Sequence, residues 1–232
     1  MALVKYGGGI IQMSGSLAGN TFARNRYGNY VRAKTKPVNP NTARQQAIRG
    51  AIATLTSRWS QTVSKVQRTA WNLYADSVNM KNKLGEVIKL SGFNHYIRSN
   101  VWRLDLGQAV VDAGPTLFEL PEKDGTVAIT ASEATQIVTV TFDDGAEWCS
   151  EDLAGVMILE GAPQNAQINF FAGPYKGRSA KMGSSLAPIT SPQDYAALHV
   201  LTEGQKLWVK FRILRADGRI SGDFTANTFC TA

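Results

Sequence analysis

The sequence lacks most of the features that would indicate catalysis or metal binding. Its 232 residues include only two histidines and two cysteines, and these four side chains are far apart along the chain. No GxSxG, HExxH or GK[ST] motif occurs, and Cys149 and Cys230 do not form a CxxC pair. Two thiols cannot supply the four ligands of a structural zinc site. We therefore predict no enzymatic activity, no cofactor and no metal.

Long apolar runs are missing as well. No stretch approaches the roughly 18 apolar residues that a transmembrane helix needs, and the first residues lack the apolar core of a signal peptide. We therefore expect neither membrane insertion nor classical secretion. Because nothing indicates an oxidising compartment, we expect Cys149 and Cys230 to be buried and reduced, with a disulfide as the alternative.

Acidic residues are nearly absent from the first part of the chain. Residues 1–105 hold 16 Lys and Arg against three acids, a net charge of +13, and the first 50 residues hold no acid at all. Residues 106–232 hold nine basic and 15 acidic residues, a net charge of −6. Halves of such different charge suggest two domains with different partners.

The first 36 residues predict a glycine-rich flexible arm followed by a β-hairpin. The β-rich runs 21–24 and 29–32 flank Gly28, which can adopt the positive φ of a tight turn. Cations and aromatic rings alternate here, and we expect those of the hairpin to share one face. The candidate partner-binding residues are Phe22, Arg24, Arg26, Tyr27, Tyr30, Arg32, Lys34 and Lys36. They suit an acidic protein surface, which we favour, and also nucleic acid.

Three helices are predicted over residues 37–106. Asn39 and Pro40 are a good N-cap and first residue for a helix that runs to about Trp59. Ser64 and Gln67 have the spacing of a capping box, which starts a second helix of about a dozen residues. After a brief extended segment at 83–90, Ser91 is placed to cap the third helix.

Residues 107–232 have the pattern of a β domain. Short β-branched or aromatic runs alternate with turn residues, and 173–192 is predicted to be a long loop. The predicted strands are 126–130, 136–142, 155–159, 167–171, 197–201, 206–214 and 225–229. Seven strands favour an antiparallel β-sandwich of the immunoglobulin or fibronectin type III kind. The predicted fold is α+β with two domains: an arm and hairpin (1–36) and helices (37–106), followed by the sandwich (107–232).

One part of the sequence resembles a known group of proteins. Three elements carry the resemblance: the hairpin, a "P-x-N-P-x-T-x-x-Q" segment and a "Q-R-x-A-W" segment. The matching residues are Gly19, Phe22 with a slightly shifted spacing, Arg24, Gly28, Tyr30, Val31, Arg32, Pro37, Asn39, Pro40, Thr42, Gln45, Gln67, Arg68, Ala70 and Trp71. In these elements the chain resembles uncharacterised proteins encoded by tailed bacteriophages and prophages.

The resemblance implies a virion structural protein, assembled in the host cytoplasm, and it supplies no catalytic residues. We expect a capsid decoration or cement protein that docks through its basic arm onto the major capsid protein or other virion proteins and forms homo-oligomers. A neck or tail component is the nearest alternative. A nucleic-acid-binding protein that uses the basic half is the alternative from another class.

Overall fold

The computed structural model describes residues 2–25, 28–82 and 84–232, with the backbone alone at 178. In this part of the chain the fold is a mixed α+β arrangement of three helices and three sheets. The elements are β1 (Ala2–Leu3), β2 (Gly15–Leu17), β3 (Asn20–Asn25), β4 (Gly28–Ala33), α1 (Ala43–Gln61), α2 (Lys65–Ser77), β5 (Met80–Lys81), β6 (Val87–Ile88), α3 (Gly92–Asp105), β7 (Ala128–Ser132), β8 (Ile137–Thr141), β9 (Gly155–Gly161), β10 (Tyr175–Met182), β11 (Gln193–Ala196), β12 (Lys206–Leu214) and β13 (Phe224–Thr231).

The predicted hairpin is present as β3 and β4, but the arm before it is not simply flexible. It contributes two further strands, so that the first sheet has the order β1-β4-β3-β2. Gly8 and Gly9, both with positive φ, form a turn between the two strands of the arm. The amide of Val4 donates to the carbonyl of Asn29 at 2.9 Å, which extends the pairing of β1 with β4. Both strands of the arm therefore pair with the hairpin.

The three helices form at the predicted places, with one corrected start. The cap of α1 is Thr42 rather than Asn39, because Thr42 and Gln45 form a complete capping box. Asn39 instead accepts a hydrogen bond from the amide of Asn41. The capping box of Ser64 and Gln67 is confirmed, and so is the N-cap at Ser91.

The apolar residues of α1, which recur at helical spacing, are buried only toward the end of the helix. Leu55 is fully buried, whereas Ala43 and Ala47 are exposed and Ile52 is 41% exposed. The helical core consists of Leu55, Val63, Trp71, Tyr74, Val78 and Tyr96. The first half of α1 therefore extends past the core that the other two helices share.

Asp112 connects all three helices to the segment that follows them. Its carboxylate accepts hydrogen bonds from Arg58 of α1, at 2.8 and 2.6 Å, and from the hydroxyl of Tyr96 of α3 at 3.0 Å. Its carbonyl accepts from the indole of Trp71 of α2 at 3.0 Å. The paired Arg58 lowers the pKa of the Asp112 carboxyl. The tryptophan of the Q-R-x-A-W segment thus has a structural role in the core.

The large sheet has seven strands in the order β10-β9-β12-β13-β7-β8-β11. It curls around one core that takes side chains from both ends of this order, among them Val138, Val140, Ile158 and Phe211. Its pairs are antiparallel except one: β13 runs parallel to β7 through Cys230 and Thr231. The two halves of the sheet therefore meet at the parallel pair.

Two strands predicted in this region do not form. In 197–201, distant side chains accept the backbone N–H groups that would otherwise donate to a neighbouring strand. Glu160 accepts from the amides of Leu198 and His199, and Gln136 accepts from the amide of Leu201. The run 167–171 is likewise irregular.

The predicted loop 173–192 contains β10 instead, and the strand β11 follows directly after it. Gly177, at φ 130°, lies where the pairing of β10 with β9 shifts register. This bulge interrupts the alternation that would have identified the strand in the sequence.

Two arginines of α3 attach the helices to the β part. Arg103 is fully buried and donates to the carbonyls of Leu153, Arg215 and Ala216 at 3.1, 2.6 and 3.4 Å. Arg98 donates to the carbonyls of Ile220 and Ser221 at 3.1 and 2.8 Å. Buried cations are costly without such acceptors, so these contacts hold the helical layer against the loop between β12 and β13 and against the segment before β9.

Candidate docking surface

The sheet β1-β4-β3-β2 is the candidate docking surface, because it contains most of the predicted partner-binding residues. None of its described side chains is buried. Neither the core of the helices nor the core of the large sheet includes a described residue from it. A small sheet normally needs an apolar face packed on something else to be stable. This sheet therefore has surface left for a partner.

The strand register corrects the expectation that the hairpin residues share one face. Phe22 lies opposite Val31 and Arg24 lies opposite Asn29, whereas Tyr30 lies opposite Ala23. Directly opposed residues of an antiparallel pair project to the same face, and neighbours along a strand alternate. Phe22 and Arg24 therefore lie on one face of the sheet.

The opposite face carries Tyr30 and Arg32, so each face has one ring and one cation of the predicted set. Arg26 and Tyr27 lie outside the described residues. Lys34 follows β4, where its amide donates to the carbonyl of Gly19 at 2.8 Å, and Lys36 lies in the exposed segment before α1.

Most of the cations in this region have no acidic partner. Arg24 donates to the side-chain oxygen of Gln12 at 3.2 Å. Arg32, Lys34 and Lys36 are exposed and form no ion pair with any described residue. Lys5 is the exception, because it pairs with Glu86 at 2.5 Å and thereby connects the arm to the β5-β6 hairpin. The lysine lowers the pKa of the Glu86 carboxyl.

Histidine and cysteine do not form a second candidate site. His95 is buried against the ring of Tyr74, and burial lowers its pKa to about 4. Cys149 and Cys230 are both buried and free, as expected, and burial raises the pKa of the Cys149 thiol to about 11. A thiol with so high a pKa is a poor nucleophile. Among residues 2–25, 28–82 and 84–232, no three His, Cys, Asp or Glu side chains are placed to hold a metal ion.

Two further surface features were missed by the sequence analysis. A cleft of about 710 Å³ opens between the segment 117–126 and one end of the β part. On α2, Val66 is 78% and Leu73 is 54% exposed, although both stand at helical spacing in one apolar stripe with Ala70. Helix α2 has two apolar faces: Trp71, Tyr74 and Val78 lie on the face that packs in the core, and Val66 and Leu73 lie outside it. The helical spacing of these residues could have shown this in the sequence. The cleft could not be recognised in the sequence, because its walls come from segments that are far apart along the chain.

No family model, no curated protein and no solved structure matches this chain. No helix in the described part of the chain is long and apolar enough to cross a membrane.

Proposed function

We propose that the chain is a bacteriophage virion structural protein, a capsid decoration or cement protein that docks through its basic N-terminal sheet. The observation that carries the proposal is the contrast between this sheet and the rest of the molecule. The sheet has exposed, unpaired cations and no buried side chain, whereas the helices and the large sheet each have a closed core. Such a sheet gains stability when an acidic partner covers it.

Charge limits what that partner can be. The first acid of the chain is Asp76, so the docking surface presents only positive charge from its own residues. Complementary charge across an interface speeds association and excludes wrong partners. Phe22 and Val31, with their neighbours on one face of the sheet, would add apolar contact area. The surface therefore fits an acidic protein surface with an apolar centre, such as a site on a capsid shell.

We also propose that the chain has two domains and that its large sheet is a sandwich of the fibronectin type III kind. The first, second and fifth strands of this part of the chain (β7, β8 and β11) lie side by side at one end of the sheet. The other four strands lie side by side at the other end. The immunoglobulin constant arrangement places the fourth strand with the first half. Here β10 pairs with β9 in the second half, which supports the fibronectin type III variant. Sandwiches of this kind serve as interaction modules, so this part would face outward from the particle.

Binding to purified capsids tests the function. The variant Arg24→Glu with Arg32→Glu reverses two exposed charges of the docking surface and leaves the segment after β4 unchanged, and Lys81→Glu with Lys176→Glu makes the same charge change elsewhere on exposed residues. We expect the first variant to lose at least about tenfold in affinity, which corresponds to 1.4 kcal/mol, and the control to bind as the wild type does. Equal binding of all three proteins would contradict the proposal.

A mobility-shift titration with DNA at low and high salt distinguishes the alternative partner. Binding that falls steeply with salt, together with no binding to capsids, would assign the surface to nucleic acid instead. Capsid binding without a DNA shift supports the proposal. If the isolated protein forms rings that bind to necks or tails and not to capsids, the protein is a neck or tail component and not a decoration protein.

A further inference from the structure

The cleft beside the β part has a charge that none of the preceding functions explains. It is about 710 Å³ in volume, and its lining includes five carboxylates but only three cations. The carboxylates of Glu119 and Glu147 are 75% and 80% exposed, so both face water at its rim. Trp148 and Ile213 contribute apolar walls. A cleft of this size accommodates a segment of several residues.

The cations of the cleft do not neutralise it. Arg215 is shared between Glu147, at 2.7 Å, and Glu151, at 2.5 Å. Arg219 is bound by Asp217 at 2.6 Å and lies 4.0 Å from Glu119. Each arginine thus already has its carboxylate, and the remaining charge is negative. A ligand of this cleft must carry positive charge.

Trp148 indicates a second property of the ligand. This side chain is 3% exposed and lines the cleft, yet its indole N–H has no acceptor among the described residues. The indole N–H is itself enclosed, so the part that Trp148 plays for a ligand in the cleft is that of an apolar wall. Positive charge together with apolar contact describes a basic peptide segment that also carries an apolar side chain.

The chain itself contains such a segment. Residues 34–42, between β4 and α1, are all exposed, and they include Lys34 and Lys36 without any acid. Val38 is 87% exposed and would find apolar walls in the cleft. Pro37 and Pro40 favour an extended backbone, which lowers the entropy lost on binding.

We propose that the cleft binds the basic segment 34–38 of a second copy of this chain, so that copies associate head to tail. The contact is heterologous: one copy contributes the segment and the next contributes the cleft. Such contacts generate rings where the rotation closes and open chains where it does not. The contact needs no capsid and does not depend on the proposed function.

Charge reversal on each side of the contact tests it in the full-length protein. The cleft variant is Glu119→Lys with Glu122→Lys, and the segment variant is Lys34→Glu with Lys36→Glu. The matched control is Asp76→Lys with Glu203→Lys, two exposed acids of which Glu203 lies at the opposite end of the large sheet from the cleft. Sedimentation equilibrium at low and high salt gives the oligomeric state of each protein.

We expect the wild type and the control to self-associate at low salt and less so at high salt, because surface ion pairs are screened. Each variant alone should associate at least about tenfold more weakly. A mixture of the two should associate again, because the intact cleft meets the intact segment and the reversed cleft and reversed segment are complementary in charge as well. A monomeric wild type at low salt, or a mixture that stays monomeric, would overturn the proposal. The cleft variant keeps the whole docking surface, so its binding to capsids reports the proposed function separately.

Discussion

His95 lies in surroundings that disfavour its charged form. It is 3% exposed, its Nε2 has no partner among the described residues, and the charge of Arg98 adds to the effect of burial. Both influences disfavour the imidazolium and lower its pKa from 6.5 to about 4. A neutral His95 therefore belongs to the folded state at physiological pH.

Stability should consequently fall as the pH is lowered from about 6.5 toward 4. In this range the unfolded chain binds a proton at His95 that the folded chain does not, so acid favours unfolding by up to about 3 kcal/mol. The variant His95→Phe keeps an aromatic ring beside Tyr74 but cannot titrate. Urea unfolding at several pH values should show a smaller loss for His95→Phe than for the wild type. Parallel pH curves of the two proteins would contradict this assignment.

At the scale of elements, α1 and α2 have similar caps but different amounts of buried surface. Both begin with a complete capping box, at Thr42 and at Ser64. In α1 the first buried residue is Leu55, more than three turns after the cap, whereas Trp71 of α2 is buried two turns after its cap. A cap stabilises the whole protein only where the turn that it starts is coupled to the core.

Ser64→Ala should therefore lower the free energy of unfolding by about 1 kcal/mol, the usual value of an N-cap. Thr42→Ala removes an equivalent hydrogen bond, but we expect a smaller global effect because the first turns of α1 are held by the ion pair of Arg44 with Asp105 and not by packing in the core. Thermal or urea unfolding of both variants measures the difference. Equal losses would mean that the start of α1 is packed on a partner, for instance in an oligomer.

The elements also show where sequence patterns are reliable. Caps and regular alternation are local, and they located α2, α3 and β12 closely; the bounds of β12 are those predicted. The bulged strand β10 was missed because Gly177 breaks the alternation. The segment 197–201 has the composition of a strand, but the distant side chains Glu160 and Gln136 take its backbone groups.

At the scale of the whole molecule, Arg103 connects the helices to the β part. It donates to three carbonyls from two separate loops, and no water reaches it. Its burial lowers the pKa of the guanidinium. Without Arg103 these carbonyls would lose a charged donor inside the protein. The helical layer and the large sheet should therefore unfold together.

Arg103→Ala should lower the free energy of unfolding by about 3 kcal/mol, since both packing and charge-assisted hydrogen bonds are lost. Arg49→Ala, on the exposed side of α1, is the matched control and should change it by less than about 0.5 kcal/mol. Tryptophan fluorescence follows both parts of the molecule, because Trp71 lies in one core and Trp148 in the other. Two separate transitions in the wild type would show that the contacts of Arg103 do not couple the parts.

The sequence alone determined the mixed α+β character, the hairpin, the three helices and the division of charge between the halves. Each of these depends on composition or on contacts within a few residues, which propensity and periodicity describe. Only the tertiary structure decided that the arm adds two strands, that Tyr30 and Phe22 lie on opposite faces, and that a cleft forms between 117–126 and the β part. These features depend on strand register and on pairing between distant segments, and a single residue of register reverses which face a side chain occupies.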